Sequence, residues 1–255
     1  MRLNRFFGNF SAGGGSAFGG NFSDQVIKSS DKDLINQLKN VLRLNNGDEI
    51  ILCDGKLNEA SCVIESIGRN EAVFKVVKVW QNKKEFSSDI ILYCSVLKRE
   101  NFELVVQKAV ELGVKEIVPI IAKRTVKLGL REDRVQKIIK EAAEQSGRGI
   151  LPILRQETPF EDAVGEAEVN DLNLFFSPFE RSAEGREPDK KFLAGTNIDP
   201  SKYKKIGVFI GPEGGWAETE LQAVSSKFQV VGLSPFTLRA ETAAIAALAV
   251  IQQFL

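Results

Sequence analysis

Histidine is absent from this 255-residue chain. Its absence removes the side chain that titrates near neutral pH, the usual partner of a serine or cysteine nucleophile, and the commonest metal ligand. Hydrolase chemistry is therefore disfavoured. Cysteine is scarce: Cys53, Cys62 and Cys94 lie in apolar, strand-like runs, an odd count with no CxxC spacing. That pattern fits neither a disulfide framework nor a zinc site, so buried structural thiols and no metal are expected. Net charge is also lacking, 34 basic side chains against 34 acidic, and the total gives no support to nucleic-acid binding. No apolar run approaches the roughly 18 residues of a membrane span, and MRLNRFFGNF lacks the continuous apolar core of a signal peptide. A cytoplasmic protein with no membrane partner is expected.

What is present, 43% apolar residues, suffices for cored domains. Up to Val76 the chain reads as short strands, EIILCDG, EASCVIESIG and EAVFKVVKVW, with Asn46-Gly47-Asp48 and Asp54-Gly55 as turns. One helix interrupts them, Lys32 to Leu42, with Leu34, Ile35, Leu38, Val41 and Leu42 at helical spacing. Residues 1–76 are thus predicted to form a small β-barrel or sandwich. The stretch Phe10 to Phe22, containing GGGS and FGG, predicts a flexible loop, and Gln81 to Glu85 a linker or hairpin tip. Beyond it strands are predicted at 90–97, 114–122, 172–176 and 206–210. Helices are predicted at 101–112 and 131–146, closed by Gly113 and Gly147. Alternating strands and helices predict a mainly parallel α/β domain over residues 77–255.

Charge is unevenly spread. Leu97 to Arg148 holds twelve Lys or Arg against eight Asp or Glu, whereas Arg155 to Asp199 holds five against eleven. The basic part is the side expected to face RNA. Lys98, Arg99, Lys123, Arg124, Lys127, Arg131 and Arg148 sit at strand ends and helix termini, within reach of phosphates, and each is explained as readily by a solvated face. In EAAEQSGR, Glu141, Gln145 and Arg148 are spaced to converge on one side of a helix, either as an ordinary surface set or as part of a cleft beside Gly147 and Gly149.

The most informative stretch runs from Ile206 to Leu255. A buried-type strand, IGVFI, leads into Gly211-Pro212-Glu213-Gly214-Gly215, which puts bare backbone at the carboxyl end of a sheet, where open α/β folds leave a crevice for ligands. Glu218 and Glu220 open the next helix and disfavour a phosphate at its positive end, so an adenosine or amino-acid-like ligand is expected rather than a triphosphate. Leu238-Arg239-Ala240-Glu241-Thr242 then sets an arginine and a carboxylate before AAIAALAVIQQFL. That helix is apolar on all sides and is expected to be buried in a core or subunit interface.

IGPEGG followed by LSPFTLRAETAAIAALAVIQ resembles the carboxyl-terminal signature of the ribosomal RNA small subunit methyltransferase E family, within the knotted SPOUT superfamily. The resemblance extends in order through RLNRFF, NVLRLNNGDEIILCDG, QKAVELGVKEIVPIIAKRTV and EAAEQSGRGILPIL. It implies an N-terminal PUA-like RNA-binding β-barrel followed by a SPOUT-type α/β methyltransferase domain with a C-terminal trefoil knot. It also implies a homodimer acting on 16S rRNA or the small ribosomal subunit, with transfer of a methyl group from S-adenosyl-L-methionine to N3 of a uridine. The donor-binding residues implied are Gly211, Pro212, Glu213, Gly214, Gly215, Leu233, Ser234, Leu238, Ala240 and Thr242. Arg239 is implied to stabilise the anion formed when N3 loses its proton, and Glu241 either to hold Arg239 or to act as base. Arg2 and Arg5, an RxxR pair, match the family's RNA-contact pattern; Lys98, Arg99, Arg124 and Arg148 join them as RNA-contact candidates from their place in the basic region.

The chain departs from that pattern at Ser234, where glycine is common, at Phe236, where arginine is, and at Ala240, where threonine is. Ala217 also stands where a helix-capping serine is typical, a loss of about 1 kcal/mol. These changes bear on target specificity. The competing expectations are a SPOUT enzyme acting on transfer RNA or a ribose hydroxyl, and a non-catalytic RNA-binding assembly factor with an emptied donor site. A class I methyltransferase is disfavoured by the lack of an early GxGxG fingerprint.

Overall fold

The computed structural model describes residues 3–8, 10–12, 15–16, 25–126, 129–178, 191–192, 198–224 and 228–255. The chain divides into two compact units, one of Met1–Glu85 with Ala143–Leu151 and one of Phe86–Ala142 with Pro152–Leu255.

In unit 1 the strands are β1 (Asn4–Phe7), β2 (Ser11–Ala12), β3 (Gly15–Ser16), β4 (Val26–Ser29), β5 (Glu49–Cys53), β6 (Asn58–Ile67) and β7 (Ala72–Gln81). They form one sheet in the order β1-β5-β6-β7-β4-β2-β3, antiparallel except for β1 beside β5. Burial alternates along much of β7, from Ala72 through Phe74 to Val76, as expected where one face covers a core and the other meets water. Helix α1 (Lys32–Asn36) continues into a π-helical turn at Gln37–Val41. It starts at Asp31, whose carboxylate accepts the Asp33 and Leu34 amides. Leu34, Ile35 and Leu38 then bury against Phe6, Ile50 and Phe74. Both predicted turns are present, with Gly47 and Gly55 at φ 94° and 72°. β7 runs on through position 76, where the sequence suggested a boundary. Within the glycine-rich stretch, residues 11–12 and 15–16 pair as strands; 13–14 and 17–22 lie outside the described residues.

Unit 2 contains β8 (Asp89–Ser95), α2 (Arg99–Glu111), β9 (Glu116–Ile121), α3 (Glu132–Ser146, whose end from Ala143 belongs to unit 1), β10 (Ile153–Leu154) and β11 (Thr158–Pro159). It continues with α4 (Phe160–Glu166), β12 (Leu172–Phe176), β13 (Lys191–Phe192), β14 (Lys205–Ile210), α5 (Glu218–Val224), β15 (Gln229–Gly232) and α6 (Ala240–Gln252). The main strand order is β10-β9-β8-β14-β12-β15-β13, and each described pairing is parallel. β8, β12 and β14 are buried almost throughout, because helices cover both faces of a parallel sheet. The expected α/β domain is present. Tyr93 stacks on Phe209 at 4.3 Å and Phe175 lies 4.4 Å from the Trp216 ring, which fixes this core beside the carboxyl ends of the central strands. α6 packs on α2 and β14. It buries Ala244, Ala247, Leu248 and Ile251 and leaves Ile245, Ala246, Ala249 and Val250 half-buried, so its apolar surface is only partly covered within one chain.

Candidate active site

Cys94, Ile210 and Phe176 are neighbours in register at the ends of β8, β14 and β12, and the glycine loop leaves the sheet immediately afterwards. The local geometry gives Gly211 and Gly215 distinct tasks. A Cβ on Gly211 would come within 2.9 Å of the Trp216 indole, so this glycine makes room for the loop's own tryptophan, whose Nε1 donates to the Phe176 carbonyl at 2.9 Å. Gly215 has φ 71°, a left-handed conformation that side chains resist. The bareness read from the sequence as an open approach for a ligand is thus partly filled from within.

Neighbouring strand ends hold the loop. The Glu213 carboxylate accepts the Lys98 amide at 3.0 Å, and Arg124 Nη1 donates to the Gly214 carbonyl at 2.9 Å. The buried Glu220 carboxylate accepts the Ala217 amide at 2.7 Å and the Lys123 amide at 2.8 Å. A carboxylate three residues into the helix thus satisfies a donor at its start, half of a capping box. The donor that a serine at 217 would have capped, the Glu220 amide, bonds the Ala217 carbonyl at 2.9 Å instead, and the two amides explain Glu220 without a ligand.

Around the loop lies a cavity of about 680 Å³, within the range of small-molecule sites. Of the expected donor-site residues, Gly211, Pro212, Glu213, Gly214, Gly215, Leu233, Ser234, Leu238 and Ala240 line it; Thr242 does not, being exposed on the first turn of α6. Arg239 and Glu241 line it too. Arg239 is exposed, and Glu241 is only 9% exposed with its Oε2 lacking a hydrogen-bond partner. No bond joins Arg239 to Glu241 among the described residues. Trp216, Asn101 and Phe236 also line it and were not foreseen. The tryptophan was legible at the end of GPEGGW, whereas Asn101 carries no signal beyond following Lys98 and Arg99.

The expected RNA-contact cations fall into three groups. Lys98 and Arg124 line the cavity, and Arg99, Lys123 and Arg131 are exposed, Arg99 at the start of α2. Arg2 and Lys127 lie outside the described residues. Arg5 and Arg148 are interior to unit 1, their side chains 9% and 8% exposed. Arg5 donates through both terminal nitrogens to Glu59, by Nη1 at 3.0 Å, and reaches the Arg148 carbonyl at 3.3 Å. Arg148 Nε donates to both Glu85 oxygens at 3.0 Å. Asn82 joins the cluster by donating to Glu59 and to the Gly147 carbonyl. Guanidiniums committed this way fasten residues 143–151 to the β1–β7 sheet. Burial opposes the charge on Arg5, but the Glu59 hydrogen bond and neighbouring negative groups hold its pKa above the ordinary value.

A family model described as RNA methyltransferase domain matches residues 84–252, and one described as RNA methyltransferase PUA domain matches residues 31–77. Ribosomal RNA small subunit methyltransferase E of Bacillus subtilis is 30% identical over 224 residues, covering 85% of this chain and 86% of that protein. The chain belongs to the ribosomal RNA small subunit methyltransferase E family. A second member of that name from Borreliella burgdorferi is 32% identical over 241 residues, with 90% of each chain covered. Among solved structures, the methyltransferase E of Neisseria gonorrhoeae bound to S-adenosyl methionine superposes with a TM-score of 0.80 at 27% identity, covering 99% of this chain and 98% of that one. A Legionella pneumophila putative methyltransferase in complex with the same cofactor gives 0.82 at 28% identity over 99% and 98%. The cavity lies wholly within the segment matched by the RNA methyltransferase model.

Proposed function

We propose that this chain transfers the methyl group of S-adenosylmethionine to N3 of a uridine in small-subunit ribosomal RNA. The observation that carries the reading is the cavity at the strand ends, where the glycine loop, the Leu233–Leu238 turn and the start of α6 meet around one buried, unpartnered carboxylate.

The residues present fit such a donor. Leu233, Leu238 and Trp216 supply apolar walls, the loop supplies backbone carbonyls and amides, and the free Oε2 of Glu241 supplies an acceptor. When bound, S-adenosylmethionine supplies a methyl group already activated on a sulfonium. The protein's share is alignment and proton management. The exposed guanidinium of Arg239 can donate two hydrogen bonds in one plane, which suits a uracil carbonyl gaining charge as N3 loses its proton. A buried carboxylate with a free oxygen favours Glu241 as a proton or amino-group acceptor over Glu241 as a holder of Arg239. Lys98, Arg99 and Arg124 are the cations assigned to RNA phosphates. Arg5 and Arg148 are assigned to the interior of unit 1.

Residues 1–76, with the rest of unit 1 through Glu85 and 143–151, are read as the RNA-binding PUA-like domain, and the remainder of 77–255 as the catalytic domain. The C-terminal trefoil knot belongs to the same reading, supported by β14 lying between β8 and β12 while the following strand, β15, pairs on the far side of β12. The half-buried face of α6 supports a homodimer.

The test is transfer of labelled methyl from S-adenosylmethionine to small ribosomal subunits lacking the modification, followed by nucleoside analysis. A 3-methyluridine peak is expected. Donor binding without transfer would move the target to another RNA, and absence of both would leave a non-catalytic RNA-binding protein.

A further inference from the structure

Phe236 is the most exposed large apolar side chain among the described residues, at 78%, yet it lines the same cavity as Arg239 and Glu241. Its backbone is held, because Ser234 Oγ accepts the Phe236 amide at 3.1 Å in the short turn between β15 and α6. Its ring joins none of the aromatic pairs that build the unit 2 core. A ring left in water forgoes the stabilisation that burial would return, so its position calls for an occupant that is not part of this chain's own core.

The surroundings indicate the chemistry of that occupant. Lys98, Arg124 and Arg239 are exposed and line the same cavity. Against these three cations the wall holds two carboxylates, Glu213 and Glu241, so the cations are in excess by one. An aromatic face among cations matches single-stranded nucleic acid, which offers a flat base to the ring and phosphates to the charges. A second copy of the chain fits less well, since the residues beside Phe236, Thr237 and Arg239, are exposed and polar or charged. The bound donor also fits less well, because the half-buried Leu233 and Leu238 already give it enclosed apolar walls, whereas Phe236 stands out in solvent.

We propose that Phe236 is a stacking residue for an RNA base at the mouth of the cavity, and so a specificity determinant for the RNA substrate. The proposal deepens the RNA methyltransferase reading and rests on it. Its test compares Phe236→Ala, Phe236→Leu and Phe236→Tyr in the full chain, reading KM for the RNA substrate, donor affinity by calorimetry, oligomeric state by light scattering, and binding of a single-stranded oligouridylate by anisotropy. Loss of the ring in Phe236→Ala and Phe236→Leu is expected to weaken RNA KM and oligouridylate binding roughly 5- to 100-fold. Phe236→Tyr is expected to stay near the parent, with donor affinity unchanged throughout. Retention of binding by Phe236→Leu would reduce the role to apolar packing and overturn stacking. A shift confined to donor affinity, or a loss of dimer with RNA affinity intact, would overturn it in favour of the donor or a second copy. If the parent binds oligouridylate through Phe236 but transfers no methyl group, the enzymatic reading fails while the stacking contact stands.

Discussion

In unit 1, Arg5 and Arg148 direct their donors to Glu59 and Glu85 deep in the fold, while in unit 2 Arg239 and Glu241 line one cavity without bonding to each other. The residue types are the same and the surroundings reverse their meaning. A guanidinium whose terminal nitrogens are held by a buried carboxylate has little to offer a ligand, even though Arg5 Nε itself makes no hydrogen bond. A carboxylate buried without a partner on Oε2 carries a desolvation cost that a ligand's donor can relieve. Partnership, more than residue type or charge, separates the structural pairs from the candidate chemistry here.

The comparison is broken most severely by removing one member of the unit 1 cluster. Glu59→Ala leaves Arg5 and Asn82 facing a buried vacancy and is expected to lower stability by about 3–5 kcal/mol, the cost of an uncompensated interior charge. Chemical denaturation would measure it. Arg5→Met with Glu59→Met should recover much of that loss, because both charges then leave together; a double variant as unstable as the single would mean that packing dominates at this site.

The opposite behaviour is expected at Arg239. Because it is exposed and bonds to nothing among the described residues, Arg239→Ala should leave the unfolding midpoint near that of the parent. Turnover should fall roughly 100- to 1000-fold, the usual consequence of deleting one donor to developing charge. Methyl-transfer kinetics with donor titration would separate the effects. Unchanged turnover would remove Arg239 from the catalytic assignment, and a large stability loss would place it with Arg5 on the structural side.

Much of the fold was legible because local signals agreed with tertiary demands. β8, β12 and β14 read as continuous apolar runs and are buried on both faces, and α2 and α3 end near Gly113 and Gly147 as their patterns foretold. The cavity wall was legible through GPEGG and LRAET, two short motifs brought together by β14 and α6. What was not legible depended on distant partners. Nothing local marks Arg5 as the mate of Glu59, 54 residues away, or Arg148 as the mate of Glu85, 63 residues away. The convergence read into EAAEQSGR likewise separates in space: Glu141 is exposed, whereas Arg148 is buried. Glu220 looked like an anion-repelling charge at a helix start and proves to be a cap, because the amides of Ala217 and Lys123 turn toward it.

The smallest expected effect sharpens the comparison inside unit 1 itself. Burial pushes the Cys62 thiol up to about 12 with no charged neighbour contributing. Burial also pushes Cys53 up to about 12, although Arg5 lies against it, because Glu59, Glu144 and Asp54 counter the cation. The cluster around Arg5 is balanced well enough that desolvation decides the outcome. Both folded-state values lie above the roughly 8.5 of an unfolded thiol, so the native chain keeps protons that the unfolded chain releases. Their contribution to stability is complete below that value and is lost as pH rises toward 12, by about 1–2 kcal/mol per thiol at pH 10. Urea unfolding at pH 8 and pH 10 should show the drop, and Cys62→Ala should shrink it by one thiol's share. An identical drop in that variant would show that Cys62 does not supply it.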